Sequence, residues 1–368
     1  MDLRFAKASF ARWCAVAPVC VLAVISTGAA QSFAAAPQAE AVFSVPGRIT
    51  LLAADGNRAA VTTSVKRACA RRIVVWSAPG RRSVSVKPGI LGCAGDGVTQ
   101  LAVGGGRVAW IEQGGGNNLE MAVMAVGTTG GSRKQFEFAT NGDRAGADPR
   151  GDWVGQLFGG GAVLAYNRWT QVCDRPEIEG CSDKDPQLRR TDEKLIRIAA
   201  GHRAVILRGS EAYALVAVGG GHVGVAKADG VTIRTASGAE VAAVPNAGGG
   251  ARAVALSTTR VAVETASTLD LYGAGTGTPM KSIPLGAAAS LRLAGMTSKV
   301  ALLRGPHRLV LIRLGDGKPI SLPLRPGASS TLVGARLTEA GLFYAYNVRR
   351  ATQGRIVFEP ARRLLAQF

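Results

Sequence analysis

The residues that could perform acid–base or nucleophilic chemistry are few and widely spaced in this chain. Its 368 residues include three histidines, His202, His222 and His307. None of them belongs to a His-Glu-x-x-His zinc motif, and no serine occupies a Gly-x-Ser-x-Gly turn. His222 is expected in a tight turn and His202 in a hairpin. The histidines therefore predict no catalytic site, no metal site and no cofactor.

Acidic residues offer a second route to chemistry, as a pair of glycosidase carboxyl groups. Asp143, Asp148 and Asp152 crowd one short segment. Glycoside hydrolysis needs two carboxyl groups at a fixed separation, and the alternative is a polar, turn-rich loop. Secreted polysaccharide hydrolase or lyase activity is therefore the second functional hypothesis, after a non-catalytic role.

Three glycine triplets could be taken for phosphate-binding loops. Gly104–Gly106, Gly159–Gly161 and Gly219–Gly221 each follow an apolar, strand-like segment. A phosphate loop also needs a Gly-Lys-Ser/Thr ending and a following helix, whereas another strand-like segment follows here. The triplets are therefore predicted to be hairpin turns.

The N-terminus has the layout of a secretory signal peptide. Three basic residues within the first twelve precede an apolar core at Ala15–Ile25, and small residues follow at Ser26–Ala30. Such a core is short for a membrane span, although an uncleaved anchor is the alternative. We expect residues 1–34 to form the signal peptide and cleavage region and residues 35–40 a short linker. No later transmembrane span is expected, and the protein is predicted to be secreted or associated with the cell envelope.

A two-strand phrase recurs along the rest of the chain. It is clearest at residues 101–110 (Leu-Ala-Val-Gly-Gly-Gly-Arg-Val-Ala-Trp) and varies at 157–166, 215–225 and 253–263. A small residue early in the second strand recurs every 38 to 59 residues, at Ala60, Ala109, Ala165, Gly224, Ala262, Ala301 and Ala345. Propeller blades of four strands take roughly 40 to 50 residues, so the longest intervals need loop insertions. The repeat therefore predicts seven blades.

The seventh repeat supplies three strands, and residues 41–45 (Ala-Val-Phe-Ser-Val) can supply its missing outer strand. Ring closure by such a strand protects the edges of an open array. We therefore predict an all-β, seven-bladed β-propeller over residues 41–368, closed by an N-terminal strand. In its repeat rhythm the chain resembles exported bacterial β-propeller repeat proteins. Trp-Asp, Asp-box and kelch signatures are absent, so the resemblance implies no functional residues.

Four cysteines remain after the signal peptide: Cys69, Cys93, Cys173 and Cys181. An even number in an exported protein favours disulfide bonds. In the propeller topology Cys69 and Cys93 lie on one face of the first blade, and Cys173 and Cys181 share an insertion of the third, predicted at residues 168–193. The expected pairs are therefore Cys69–Cys93 and Cys173–Cys181. The second bond is either a brace for a recognition loop or a simple staple.

Basic residues cluster in loops that the propeller would place on one face. These loops join the second and third strands of blades six, seven and one, which ring closure makes neighbours. We call this set the basic crescent: Lys66, Arg67, Arg71, Arg72, Arg304, His307, Arg308, Arg349, Arg350 and Arg355. Arg168 and Trp169, at the base of the insertion, complete the predicted ligand-binding residues. The alternative is a set of unconnected, solvated arginines.

The charge balance suggests the kind of partner. Lysine and arginine number 44 against 25 acidic residues, a formal net charge of +19. Basicity of this size favours contact with anionic polymers or membrane surfaces. The crescent lacks interleaved aromatic residues, so nucleic acid is the least favoured polymer. We predict a non-catalytic, monomeric binding scaffold at the cell envelope, with an anionic polymer or an envelope protein as its partner.

Overall fold

The computed structural model describes residues 40–64, 71–78, 80, 82–89, 97–115, 118–142, 148–175, 181–182, 184–199, 201–209, 215–227, 229–245, 250–323, 330–348 and 353–368. The chain divides into two compact units, Met1–Ala36 and Pro37–Phe368, and every described residue belongs to the second. The predicted signal peptide therefore lies outside the described residues. Among the residues that the structure describes, no helix has the length and apolar composition needed to cross a membrane.

Seven four-stranded antiparallel sheets, the blades, make up the described part of the chain. The first strand seen is β1 (Ala41–Pro46), which belongs to the last blade. Blade I contains β2 (Arg48–Asp55), β3 (Arg58–Ser64), β4 (Arg71–Ser77) and β5 (Arg82–Val86). Blade II contains β6 (Gly97–Gly104), β7 (Arg107–Gly114), β8 (Glu120–Gly127) and β9 (Gly130–Thr140). Blade III contains β10 (Gly151–Gly160), β11 (Val163–Cys173), β12 (Leu188–Ile198) and β13 (Arg203–Arg208).

The remaining blades follow the same order. Blade IV contains β14 (Leu215–Gly219), β15 (His222–Lys227), β16 (Gly230–Thr235) and β17 (Glu240–Pro245). Blade V contains β18 (Ala253–Leu256), β19 (Arg260–Glu264), β20 (Thr268–Gly273) and β21 (Pro279–Pro284), before a short 3-10 turn at Gly286–Ala288. Blade VI contains β22 (Arg292–Met296), β23 (Val300–Arg304), β24 (Leu309–Arg313) and β25 (Pro319–Leu322). Blade VII contains β26 (Ser330–Thr338), β27 (Gly341–Val348), β28 (Gln353–Pro360) and β1, and helix α1 (Ala361–Leu365) follows it.

The prediction of a seven-bladed β-propeller is confirmed by these sheets. In blade VII, β1 pairs antiparallel with β28, and Phe43 lies opposite Ile356. The ring of Trp76 in blade I stacks on Phe43 at 5.5 Å and meets the edge of Phe343 at 6.0 Å. The outer strand of blade VII therefore also packs against blade I.

The hydrophobic core lies between the blades. Among the described residues, seven buried clusters occur, and each joins two neighbouring blades around the ring. The second strands are covered on both sides, which explains apolar runs such as Val-Ala-Leu-Leu in β23. Outer strands such as β21 are mostly exposed to solvent, and only Ile283 of β21 is buried. No blade has a core of its own, so the sheets depend on one another for stability.

Two local features differ from the sequence analysis. Residues 168–193 were expected to form an irregular insertion, but β11 continues to Cys173 and β12 begins at Leu188. The predicted bounds of the irregular insertion are wrong, because β11 and β12 stay paired with each other as far as Cys173 and Leu188. Helix α1 was not anticipated. It buries Leu364 against blades VI and VII.

Candidate functional site

The antiparallel order of each blade defines two faces. Counting strands outward from the channel, loops between the second and third strands share one face with the links between blades; we call this the loop face. Turns between first and second strands, and between third and fourth, lie on the opposite turn face. Functional residues of propellers are carried by such loops because the sheets hold them in place.

The structure describes part of the basic crescent, on the loop face. Arg72, His307, Arg308 and Arg355 are exposed there, and Arg308 Nη2 donates to Ser321 Oγ at 2.9 Å. Arg71 pairs with Ser64 in the ladder of blade I. Lys66, Arg67, Arg349 and Arg350 lie outside the described residues, as do Cys69 and Cys93 and their predicted bond. The binding role of the crescent stays a prediction.

Arg304 differs from the exposed crescent residues. It ends β23, and its Nη2 donates to the backbone oxygen of Val333 in β26 at 3.1 Å. The side chain is therefore partly buried. Burial lowers the pKa of this guanidinium from its ordinary value.

The insertion of blade III is the end of the β11–β12 hairpin, and a disulfide bond braces it. Cys173 and Cys181 form the predicted disulfide bond, with Cα atoms 6.5 Å apart. Arg175 pairs with Asp185 at 2.7 Å. Asp185 also lies close to both sulfurs, but the disulfide occupies the sulfurs that a metal ion would need.

Arg168 and Trp169, at the base of the predicted insertion, both make contacts within the protein. Arg168 lies among three carboxylates, at 2.7 Å from Asp152, 3.3 Å from Asp192 and 3.8 Å from Glu137. Trp169 is buried and stacks on Trp153, with ring centroids 6.2 Å apart. The long ladder of β11 and β12 holds both residues in blade III, and Arg168 also lines a cavity beside Glu137. The ligand-binding role of Arg168 and Trp169 stays a prediction.

A buried polar network joins blades II and III. Glu137, on β9, pairs with Arg203, on β13, and accepts a hydrogen bond of 3.1 Å from the Tyr166 hydroxyl group. Burial, and then the Glu137 charge, raises the pKa of Tyr166 above its ordinary value. The Glu137 charge also raises the pKa of Arg203. The groups lie beside a cavity of about 440 Å³, and their mutual pairing indicates a structural role. Glu137 and Arg203 could not be paired from the sequence, because they come from different blades.

The carboxylates proposed for glycoside hydrolysis are engaged where they are described. Asp148 forms a two-oxygen ion pair with Arg150, whose Nε lies 3.0 Å from both carboxylate oxygens. Asp152 accepts hydrogen bonds of 2.7 Å from Arg168 and from the Thr170 hydroxyl group. Asp143 lies outside the described residues. Asp148 and Asp152 are therefore held by neighbouring side chains.

The first strands of the blades enclose a central channel with a cavity of about 770 Å³. Most of its lining is apolar or glycine, with Asp55, Arg336 and Glu339 as the charged exceptions among the described residues. Asp55 Oδ1 accepts a hydrogen bond of 2.7 Å from the Gly161 amide, across the channel. Burial raises the pKa of Asp55, against the opposing effects of the Gly161 and Gly56 amides and Arg58.

The glycine triplets form the turns at this channel, as predicted. Gly105 and Gly106 have φ angles of 56° and 71°, which suit a tight hairpin turn. Their flanking glycines have a second role that the sequence did not reveal. A Cβ atom at Gly159 would collide with the backbone of Val103, and one at Gly104 with the backbone of Val163. Glycine therefore lets the first strand of one blade approach the backbone of the adjacent blade closely.

The histidines occupy the elements expected of them. His222 begins β15 directly after its glycine turn, and His202 lies in the turn between β12 and β13. His307 is exposed on the loop face. The three lie in blades III, IV and VI, so none shares a blade with another.

Comparison with known proteins identifies no family. No family model and no curated protein matches the chain. Among solved structures, the β-propeller domain of Myceliophteria thermophila Cps50 (Swd1) is 10% identical, with a TM-score of 0.46 over 87% of this chain and 100% of that one. A chain of the mitotic checkpoint complex is 13% identical, with a TM-score of 0.45 over 98% and 100%. Pyrococcus horikoshii acylaminoacyl peptidase is 12% identical, with a TM-score of 0.48 over 83% of this chain and 49% of its own.

Similarity at this level carries no argument about activity. The seven four-stranded sheets define the protein as a β-propeller.

Proposed function

We propose that the protein is an exported, non-catalytic propeller that binds an anionic polymer at the cell envelope through the basic crescent. The observation that carries this proposal is the pairing of β1 with β28, because it makes blades VI, VII and I neighbours. We therefore expect the loops of these three blades that carry the crescent to lie side by side on the loop face. Teichoic acid and acidic polysaccharide are the polymer classes that this charge suits.

Exposure of the described crescent residues supports the proposal. Arg72, Arg308 and Arg355 are exposed in three different strand ends or loops, and none of the three forms an ion pair with a carboxylate within the described residues. Exposed arginines without acidic partners remain available to an anionic ligand. The chain's excess of basic residues adds long-range attraction for such a polymer.

The test reverses charge within the crescent. In one variant Arg67, Arg71, Arg349 and Arg350 are each changed to Glu; the matched control changes four turn-face cations, Arg107, Arg260, Lys299 and Lys318, to Glu. Both variants have the same net charge. We expect the crescent variant to elute from heparin and from lipoteichoic acid beads at clearly lower salt than the wild type, and the turn-face variant to elute close to the wild type.

Equal shifts in the two variants would show that net charge alone drives retention and would refute a specific crescent. The export part of the proposal has its own measurement. Expression with the native N-terminus should release a mature protein that begins shortly after Ala30 or Ala34, detected by N-terminal sequencing. A full-length chain that stays in the cytoplasm would contradict export.

A second candidate function, polysaccharide cleavage, is favoured by one observation. Asp55 and Glu339 both line the channel cavity, and the pKa of Asp55 is raised by burial. A glycosidase needs one carboxyl group that stays protonated and a second that is ionised. The hypothesis predicts release of reducing ends from an acidic polysaccharide, abolished by Asp55→Asn or Glu339→Gln. Absence of release by the wild type across a panel of such polysaccharides would reject it.

A further inference from the structure

One arginine stands out in the central channel. Arg336 lies in β26, at the third pairing position from the turn between the first two strands, opposite Phe343. At the same position the other blades carry Ala53, Ala102, Phe158, Ala217, Ala255 and Gly295. Arg336 is thus the single charged side chain at this level of the ring, and it is partly exposed to the channel cavity.

No carboxylate neutralises this guanidinium within the described residues. Its Nη1 donates one hydrogen bond of 3.0 Å to the Ala335 backbone oxygen, and it forms no ion pair. The charge that acts on it is a second guanidinium, Arg304, whose own single bond goes to the Val333 backbone oxygen. Segments 324–329 and 349–352, which border blade VII in the chain, contain no Asp or Glu.

The positive charges of Arg304 and Arg336, with no carboxylate partner among the described residues, are unfavourable where the side chains are partly buried. Burial, and then the Arg304 charge, lowers the pKa of Arg336, and burial lowers that of Arg304. Guanidinium nonetheless stays protonated at neutral pH, so both charges persist. Unpaired buried charge is normally avoided in folded proteins, and a bound counter-ion removes the penalty.

We propose that the channel binds a tetrahedral oxyanion, a phosphate ion or a phosphate monoester group, held by Arg336 with Arg304 behind it. A guanidinium has five N–H donors, and each of these two uses one on the protein. A phosphate group carries close to two negative charges near neutral pH, which matches two cations where a carboxylate would leave one unbalanced. The cavity of about 770 Å³ admits such a group.

The acidic residues of the channel do not occupy this site. Asp55 accepts from the Gly161 amide and Glu339 from the Ser298 amide at 3.3 Å. Both lie at or beside the turns of the turn face, whereas Arg336 lies two pairing positions further along β26 and Arg304 ends β23 at the loop-face end. The anion is therefore expected on the side of the channel where blades VI and VII meet. This site shares Arg304 with the basic crescent but uses none of the crescent's exposed residues.

The test is calorimetric titration of inorganic phosphate, and separately of glycerol phosphate, into the full mature protein. We expect saturable binding to the wild type with a stoichiometry of one. Arg336→Gln should weaken it at least about tenfold, Arg336→Lys should weaken it less because the charge remains, and the control Arg82→Gln, at an exposed arginine outside both sites, should leave it unchanged. Tighter binding of glycerol phosphate would identify a phosphate ester as the source, and equal or weaker binding the free ion.

Unfolding without ligand gives an independent readout. In phosphate-free, low-salt buffer Arg336→Gln should melt at the same temperature as the wild type or higher, because an unpaired charge is removed, and phosphate should raise the melting temperature of the wild type alone. Non-saturable phosphate binding, equal affinity in Arg336→Gln, or a melting temperature lowered by that substitution without phosphate would each overturn the site.

The crescent proposal and the channel proposal can be refuted separately. The fourfold crescent variant should bind phosphate as the wild type does, and Arg336→Gln should bind heparin as the wild type does. Loss of phosphate binding in the crescent variant would place the anion on the loop face and overturn the channel site.

Discussion

At the scale of single residues, the channel wall depends on glycines, which have no side chain. Glycine at positions 159 and 219 lets one first strand pass against the backbone of another, because a Cβ atom would collide with Val103 and Leu256 respectively. A Cβ atom at Gly104 would collide with the backbone of Val163, at the start of β11. The same close approach allows the Gly105 amide to donate to the Gly161 oxygen at 2.7 Å, between blades II and III. Glycines, which have no reactive or binding side chain, therefore allow the close approach of the strands around the channel.

Substitution of Gly159 by alanine tests this role. Its φ is not in the left-handed region, so the cost comes from the contact with Val103 and should be about 1–3 kcal/mol. Gly315→Ala is the matched control, because a Cβ atom there meets nothing within 4 Å, and we expect a change below about 1 kcal/mol. Urea unfolding followed by tryptophan fluorescence measures both. Equal effects would contradict a packing role for Gly159.

At the scale of elements, buried polar groups connect neighbouring blades alongside the apolar clusters. Glu137, Tyr166 and Arg203 join β9 of blade II to β11 and β13 of blade III. The extended ladder of β11 and β12 brings Arg168 to the same carboxylate. A buried carboxylate with several partners is stable where it lies but costly to leave unpaired, so this network holds the two blades in one relative position.

The tyrosine gives this network a pH dependence. The folded pKa of Tyr166 is raised above the unfolded value of about 10, so the protonated form is favoured in the fold. Its contribution to stability is complete below pH 10 and is lost as the pH rises above it. Tyr166→Phe removes one hydrogen bond, and we expect it to destabilise by about 1 kcal/mol at pH 8. At pH 11 that difference should shrink or reverse, as measured by urea unfolding; a difference independent of pH would contradict the assignment.

At the scale of the whole molecule, stability depends on ring closure. Each apolar cluster is shared by two blades, and the one between blades VII and I includes Val45 from β1. Asn347 adds two hydrogen bonds across the same boundary, accepting from the Ile49 amide at 2.7 Å and donating to its oxygen at 2.8 Å. Opening this boundary would expose two blade faces and the edge of β28.

Two valines of β1 test closure with matched chemistry. Val45 is 1% exposed and Val42 is 52% exposed, so they face opposite sides of one strand. Val45→Asp places an unpaired charge in the closing cluster and should destabilise by about 3 kcal/mol or more. Val42→Asp should change stability by less than about 0.5 kcal/mol. Thermal unfolding of both variants is the measurement, and similar melting temperatures would refute closure by β1.

Local patterns explain why most of the fold could be predicted. Apolar runs, glycine turns and a repeat near 40–50 residues act over short distances in the chain, so seven sheets and the turns at Gly105 and Gly220 follow from them. The Cys173–Cys181 bond could be predicted for the same reason, since only eight positions separate the two residues. The length of the blade III insertion was overestimated because charged residues such as Arg189 look like loop but extend the ladder of β12.

The candidate sites were less accessible to prediction, because their partners come from distant parts of the chain. An arginine within the apolar strand Ser-Thr-Leu-Val-Gly-Ala-Arg-Leu-Thr was a visible signal, but the sequence did not show that the Arg304 charge would act on it. Arg168 was singled out as a ligand-binding residue, whereas its three carboxylate neighbours include one from another blade. Pairing of this kind depends on which blades adjoin.

The amino-acid sequence by itself determined the blade number, the turn chemistry and the excess of positive charge, since each arises from composition or from neighbours along the chain. Tertiary structure alone decided which charges are neutralised and which are left facing a cavity. The physical reason is that Coulomb interactions act through space, and ring closure brings together side chains, such as Arg304 and Arg336, that no local pattern relates.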